Sequence, residues 1–182
     1  MRRIVSTLIC GLFLLTLAAC SKTEQASNNA ATATPSTGAS SANTEKVPPP
    51  NIVIAGAPPV QIAQGSSADA VVLVSIANGY HINANPASKY QIATTLEIEP
   101  AEGLRASSEP QYPPSLTKKF SFSEEPIAVY EGQATIKIQL SAAGDARKGE
   151  HSLRAKVRVQ PCDEQACYPP RNIEATLPVT VK

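Results

Sequence analysis

The sequence is poor in aromatic side chains and methionine: it has no tryptophan, three phenylalanines and one methionine, the initiator. The core of a folded domain therefore has to be filled by valine, isoleucine, leucine and alanine. Two thiolates can hold a soft metal such as Cu(I), but no internal methionine supplies a thioether ligand for that function. The two histidines, His81 and His151, are far apart in the sequence and form no ligand pattern. These shortages predict no cofactor and no metal site built on histidine or methionine ligands.

The chain also lacks an excess of positive charge. Lysine and arginine number 16 against 15 aspartate and glutamate residues. Loss of Arg2 and Arg3 with an export signal would leave 14 basic residues and a net charge of −1. Nucleic-acid binding needs a basic face, so the sequence predicts no nucleic-acid partner.

The first 20 residues lack a hydrophobic run of membrane-spanning length. The apolar run covers residues 8–17, whereas a transmembrane helix needs roughly 20 residues. A charged start at Arg2 and Arg3 and the small-residue segment Leu-Ala-Ala-Cys ending at Cys20 are typical of an export signal. The segment resembles the lipobox of bacterial lipoproteins, which implies a signal peptide over residues 1–19 and a lipid on Cys20. A membrane-spanning segment is the alternative.

Residues 20–50 are rich in serine, threonine, alanine and asparagine, end in three prolines and contain almost no large apolar side chain. Such a segment cannot bury enough surface to offset the entropy of ordering it, so we expect a flexible tether. The lipoprotein resemblance implies a lipid anchor in the cell envelope with the protein facing the periplasm. Ser21 after the lipidated cysteine mildly favours the outer membrane.

Residues 51–182 change to short β-type runs separated by turn residues, and no helical period or internal repeat is apparent. Several runs alternate apolar and polar residues, which is typical of half-buried strands. Frequent proline and at least six strands predict an all-β domain built as a β-sandwich. The predicted strands lie in residues 70–76, 80–82, 94–98, 134–140, 153–159 and 175–181.

Cys162 and Cys167 are the thiols that remain once Cys10 leaves with the signal and Cys20 carries lipid. Four residues separate them between two predicted strands, which allows the Cα separation of about 4.4–6.8 Å that a disulfide needs. Closing so short a loop stabilises a fold by roughly 2 kcal/mol, against about 4–5 kcal/mol for a 100-residue loop. That favours redox chemistry, while a structural staple and a metal site remain alternatives.

The cysteine segment resembles the N-terminal periplasmic domain of the thiol:disulfide interchange protein DsbD. In that family a cysteine pair is followed by an aromatic residue or leucine and two prolines, as Cys167 is followed by Tyr168 here. Three upstream segments also match the family in order: Gly-Tyr-His-Ile-Asn-Ala-Asn-Pro at 79–86, Tyr-Pro-Pro at 112–114 and Val-Tyr-Glu-Gly at 129–132.

The resemblance implies an immunoglobulin-like β-sandwich whose cysteine pair passes electrons to oxidised periplasmic partners. By position, Cys167 would attack the partner disulfide and Cys162 would resolve the mixed disulfide. The family has an aromatic cap over the disulfide, for which Phe120 and Phe122 are the candidates; the alternative is one core and one surface phenylalanine. Tyr168 could flank the sulfur.

The expected partners are a thioredoxin-like or membrane-embedded electron donor and an oxidised periplasmic protein or thiol acceptor. The sequence ends at Lys182, so we expect a stand-alone lipoprotein that relies on a separate donor. Its enzymatic activity would be that of a protein-disulfide reductase component. The alternative is a non-enzymatic binding or assembly lipoprotein with a structural disulfide.

Two polar features near the motif have plainer interpretations. His81 lies in a strand-like segment, where a structural hydrogen-bonding role is favoured over a metal or general-base role. Asp163 and Glu164 are interpreted as solvated turn residues whose negative charge would raise a thiol pKa.

Overall fold

The computed structural model describes Pro49 and residues 51–182. The predicted signal, Cys20 and the tether apart from Pro49 lie outside the described residues. The described residues form twelve strands and no helix. No membrane-spanning helix is therefore found among them. In chain order the strands are β1 Val53–Gly56, β2 Val60–Ile62, β3 Ser67–Ile76, β4 His81–Asn83, β5 Thr95–Glu99, β6 Leu104–Ala106, β7 Leu116–Lys118, β8 Ile127–Tyr130, β9 Gln133–Ala142, β10 Gly149–Val159, β11 Pro161–Cys162 and β12 Arg171–Val181.

The strands form three four-stranded sheets. The first sheet has the order β1-β3-β9-β6 and the second β2-β12-β10-β5, and their apolar faces enclose the main core. The third sheet, β11-β4-β8-β7, carries the segment with the first cysteine of the pair. All pairings are antiparallel except that of β2 with β12. The all-β, immunoglobulin-like sandwich expected from the sequence is confirmed.

The alternating segments of the long strands point as predicted. In β9 the side chains of Ile136, Ile138 and Leu140 are buried, while Lys137 and Gln139 are exposed. Burying one such aliphatic side chain contributes about 1.5–3 kcal/mol relative to leaving it exposed. The repeated inward stripe therefore fixes which face of each long strand meets the core.

The six strands that the sequence pattern does not predict are two to four residues long. So short a run holds too few alternations for a periodic signal to stand out. Four-residue β8 and two-residue β11 nevertheless complete the third sheet, because tertiary pairing with β4 supplies their partners.

A turn at Asn78 and Gly79 redirects the chain from β3 into β4. Gly79 has φ +81°, and the Tyr80 N–H donates to the Ala77 carbonyl at 3.1 Å across the turn. Glycine adopts this backbone conformation without steric cost. Strand β4 therefore does not pair with β3 but lies in the third sheet, between β8 and β11.

His151 lies near the start of β10, far from the cysteines that follow its end. Its Nδ1 lies 2.5 Å from a Glu102 carboxylate oxygen and its Nε2 lies 2.6 Å from the Arg147 carbonyl oxygen. Eight residues of strand separate His151 from Val159, which is about 26 Å. His151 is thus buried in a separate polar cluster at the opposite end of the strand.

Candidate redox site

Cys162 and Cys167 form a disulfide across a tight turn. The Asp163 N–H donates to the Ala166 carbonyl at 2.9 Å, and the cysteines face each other as an antiparallel bridge. Their Cα atoms are 3.9 Å apart, closer than the separation expected from the sequence. The predicted facing arms are therefore present, in the narrow type of cross-strand pair.

The two sulfur-bearing residues differ in exposure. Cys162 lies in β11 with 0% of its surface exposed, whereas Cys167 is half-buried. Attack on a disulfide requires access to one of its sulfur atoms. An incoming thiolate can therefore reach Cys167 more readily than Cys162.

The side chain of Asp163 stabilises the cysteine turn by hydrogen bonds. One carboxylate oxygen accepts hydrogen bonds from the Gln165 and Ala166 N–H groups, each at 2.9 Å. The other accepts the hydroxyl of buried Tyr168 at 2.7 Å. The solvated role expected for Asp163 is thus wrong, while Glu164 is exposed as expected. An aspartate opening a turn is a known signal for such side-chain to backbone bonds.

A chain of side-chain amides, not predicted from the sequence, lies behind the turn. The buried Asn83 Nδ2 donates to the Gln160 side-chain oxygen at 2.9 Å and to the Ile92 carbonyl at 3.2 Å. Gln160 Nε2 in turn donates to the Tyr168 carbonyl at 3.2 Å. These bonds connect β4 to both sides of the cysteine turn.

The third sheet is covered on both faces. Successive side chains of a strand point to opposite faces, and in β4 Ile82 packs into the main core with Tyr130. His81 therefore points to the other face, where Cys162 is its direct partner in the β4–β11 pairing. Ile127 and Val129 of β8 form a second, smaller buried cluster with Phe120.

The cap loop, residues 119–126 between β7 and β8, closes over this outer face. Phe120 is 3% exposed, and its ring stacks on the His81 ring with centroids 4.2 Å apart. Phe122 stacks on Phe120 at 5.3 Å. Ser121 Oγ donates to the Glu164 carbonyl at 3.1 Å, which joins the cap loop to the cysteine turn.

The structure brings both candidate phenylalanines together above His81. Phe122 is half-buried and packs against the same small cluster as Phe120. Of the two, Phe120 is buried within that cluster and Phe122 is partly exposed at its edge. Tyr168 follows Cys167 directly, and its ring lies 6.3 Å from that of Tyr80.

The structure gives no hydrogen-bond partner for one ring nitrogen of His81, Nε2, among the described residues. The residue is 1% exposed, and this nitrogen is buried. Burial lowers the pKa of His81 below its ordinary value of 6.5; nearby Glu131, Glu164 and Asp163 oppose this shift and Lys118 adds to it. The ring beside the disulfide is therefore neutral at neutral pH.

The chemistry available at the site is that of sulfur. In the described part of the chain, histidine, cysteine, aspartate and glutamate form no cluster of three or more that could hold a metal ion. A disulfide whose Cys167 is half-buried, on a turn fixed by Asp163, can undergo exchange with another thiol. These features define a thiol–disulfide exchange module on an immunoglobulin-like domain.

Comparison with known proteins assigns this module to a family. The family model of the thiol:disulfide interchange protein DsbD, N-terminal, matches residues 55–178. The chain belongs to this family. No curated protein sequence matches the chain in a direct comparison.

Solved structures that are similar to this chain include two N-terminal periplasmic or DsbD domains. The reduced N-terminal domain of Neisseria meningitidis DsbD is 19% identical, with a TM-score of 0.46 over 72% of this chain and 88% of that chain. The N-terminal periplasmic domain of ScsB from Proteus mirabilis is 11% identical, with a TM-score of 0.44 over 69% of this chain and 44% of that chain.

The lowered pKa of His81 predicts a pH-dependent stability. Between the ordinary value of 6.5 and the lower folded value, the unfolded chain binds a proton that the folded chain does not. The free energy of unfolding should therefore decrease as the pH falls through this window. Urea denaturation of the oxidised protein between pH 7.5 and 5 measures it.

His81→Gln serves as the comparison, because glutamine does not titrate. As the pH falls, the free energy of unfolding of the wild type should decrease relative to that of His81→Gln. Glu102, whose pKa is held below 4.5 first by its hydrogen bond with His151 and then by Arg147, titrates below that window. Parallel curves for wild type and variant would show that His81 binds its proton equally in both states.

Proposed function

We propose that this domain passes reducing equivalents from a thioredoxin-like or membrane-embedded donor to oxidised extracytoplasmic proteins in the periplasm. The observation that carries the proposal is a disulfide between buried Cys162 and half-buried Cys167, whose strand partner His81 lies under the ring of Phe120. Both partners would exchange thiols with the same pair, Cys162 and Cys167.

In the loading half of the cycle, a donor thiolate attacks Cys167 Sγ. The Cys162–Cys167 bond breaks, Cys162 leaves as a thiolate and takes up a proton, and a mixed disulfide joins donor and domain. The second donor thiol then attacks the donor sulfur of that bond and releases Cys167. Two electrons have moved from the donor to the domain, which is now a dithiol.

In the delivery half, the Cys167 thiolate attacks the partner disulfide and forms a second mixed disulfide. Cys162 then attacks Cys167 Sγ, and the partner leaves with both of its sulfurs reduced. The burial of Cys162 supports this division of labour, because a buried thiol resolves an intramolecular bond more readily than it meets a protein partner.

A purely structural staple has less support at this position. The cysteines are separated by five positions, and hydrogen bonds from Asp163 and Gln160 already hold the same turn. A crosslink over so short a loop removes little entropy from the unfolded chain. The bond therefore adds little to a turn that is already fixed.

Redox titration tests the function. We expect the protein purified from membranes, equilibrated in glutathione buffers, to show a midpoint between about −200 and −270 mV, the range of exchanging disulfides. Thiol alkylation followed by mass measurement reads the state of the pair. A midpoint below about −300 mV would instead indicate a structural staple.

Trapping of mixed disulfides by single-cysteine variants tests which cysteine attacks the partner and which resolves the bond. Cys162→Ser should accumulate a mixed disulfide with an oxidised thioredoxin-like protein, because nothing resolves the bond. Cys167→Ser is the matched control and should accumulate far less, since the remaining sulfur is buried. Equal trapping by both variants would refute the assignment.

We propose that Phe120 in the cap loop shields the disulfide from small thiols and moves aside for protein partners. An aromatic pair contributes about 0.5–1.5 kcal/mol beyond its buried area, so Phe120→Ala should open the loop and accelerate reduction by dithiothreitol by about tenfold or more. Tyr90→Ala, at an exposed tyrosine, is the matched control. An unchanged rate in Phe120→Ala would exclude shielding by this ring.

We propose that the chain is anchored through lipid on Cys20, with the outer membrane preferred. The Leu-Ala-Ala-Cys segment and the polar stretch that follows support the anchor. Cys20→Ser should move the protein from the membrane fraction to the soluble periplasmic fraction, as blotting of the two fractions would measure. Retention of the variant in the membrane would point to an uncleaved apolar segment instead.

A further inference from the structure

His81 lies next to the sulfur that has to be deprotonated in the last step of exchange. It is the direct partner of Cys162 in the antiparallel β4–β11 pair. Residues directly opposite in such a pair point to the same face with Cβ atoms about 4.5–5.5 Å apart. The side chains of His81 and Cys162 therefore lie side by side on the face of the sheet where Phe120 stacks on the His81 ring.

The Nε2 atom of His81 is an unexplained polar atom on this face. It is buried and has no hydrogen-bond partner in the described part of the chain. Leaving a buried polar atom without a partner costs about 1–3 kcal/mol, so such an atom calls for an explanation. In the disulfide state the neighbouring sulfur carries no proton, whereas in the dithiol state Cys162 gains an S–H donor.

The backbone offers the thiol a second acceptor. The Gln160 carbonyl oxygen lies 3.8 Å from Cys162 Sγ and could accept the S–H of the reduced protein. A carbonyl can hold a thiol proton but does not remove it at neutral pH. An imidazole can, because it titrates near neutrality.

The surroundings of His81 suit an acceptor that is neutral at rest and tolerates a transient positive charge. Burial keeps the ring neutral, and the carboxylates of Glu131, Asp163 and Glu164 favour its protonated form. Lys118 opposes protonation, but its Nζ is paired with a Glu131 carboxylate oxygen at 2.6 Å. The cap loop contributes the uncharged rings of Phe120 and Phe122.

We propose that His81 is the proton acceptor for the Cys162 thiol, with Nε2 taking the proton as the sulfur attacks the mixed disulfide. This inference rests on the proposed function. The Cys162–H bond breaks, the Cys162 sulfur bonds to Cys167 Sγ, and the bond from Cys167 to the partner breaks with its electron pair on the partner sulfur. That thiolate then takes the proton from the imidazolium, so protons and electrons balance.

A chromogenic disulfide separates this step from the others. When the reduced protein reacts with dithiobis(nitrobenzoate), attack by Cys167 releases the first thionitrobenzoate, and attack by Cys162 on the mixed disulfide releases the second. Thionitrobenzoate leaves as a stable anion, so the second phase reports the deprotonation and attack of Cys162. Stopped-flow absorbance from pH 5.5 to 10 follows both phases.

His81→Phe preserves an aromatic ring against Phe120 while removing the base. General-base catalysis contributes typically about 100-fold or more, so we expect the second phase to slow by about that factor at pH 7. The variant rate should rise with pH and approach the wild-type rate near the thiol pKa, about 8.5 or above. The first phase should keep the wild-type rate.

Two further variants keep the test decisive. His81→Gln can accept a hydrogen bond but cannot take a proton, so it should remain as slow as His81→Phe. Recovery of the wild-type rate in His81→Gln would reduce the role to hydrogen bonding. His151→Gln, at the other histidine and the far end of β10, should behave as wild type.

The outcome that overturns the proposal is a second phase with the same rate and pH profile in wild type and His81→Phe. That result would leave the proposed exchange function intact, because the wild-type protein would still release both thionitrobenzoates. Failure of the exchange function itself would appear differently, as a wild-type disulfide that resists reduction in glutathione buffers.

Discussion

The candidate site depends on a third sheet that is buried on both of its faces. Ile82 of β4 and Tyr130 of β8 belong to the main core, so the alternation of side chains along a strand directs His81 outward. A shift of one residue in the register of β4 would exchange the two faces, placing a histidine in the core and an isoleucine beside Cys162. The packing of Ile82 thereby fixes what surrounds the disulfide.

The cover over the site is energetically separate from the sandwich. Phe120, Ile127 and Val129 form a small buried cluster of their own, apart from the main core that the first two sheets enclose. A region with few buried contacts can open locally at a fraction of the free energy of global unfolding. The proposed movement of Phe120 would therefore have to disrupt only this smaller cluster.

The cysteine turn, in contrast, is held firmly. Asp163 binds two backbone N–H groups and the Tyr168 hydroxyl, and Gln160 connects the turn to β4 through Asn83. A fixed sulfur pair suits an exchange protein, because preorganised reacting groups lower the cost of reaching the attacking geometry. The negative charges nearby disfavour thiolate formation, which makes the removal of the thiol proton a step that the protein has to assist.

The sequence by itself determined the features that repeat or stand close together in the chain. Alternating apolar and polar residues indicated the long strands β9 and β10, and a continuous β-branched, apolar run indicated β3. The spacing of Cys162 and Cys167 allowed the disulfide, while the residues after Cys167 carried the family resemblance, which implied the aromatic cap.

Tertiary structure alone decided the rest of the site. The neighbours Cys162 and His81 are 81 positions apart, and Asn83 meets Gln160 across 77. No local pattern encodes such meetings, since they follow from the pairing of β4 with a strand of two residues. The local sequence therefore identified the reacting sulfur atoms. The register of β4 and the burial of the third sheet on both faces determined which groups surround them.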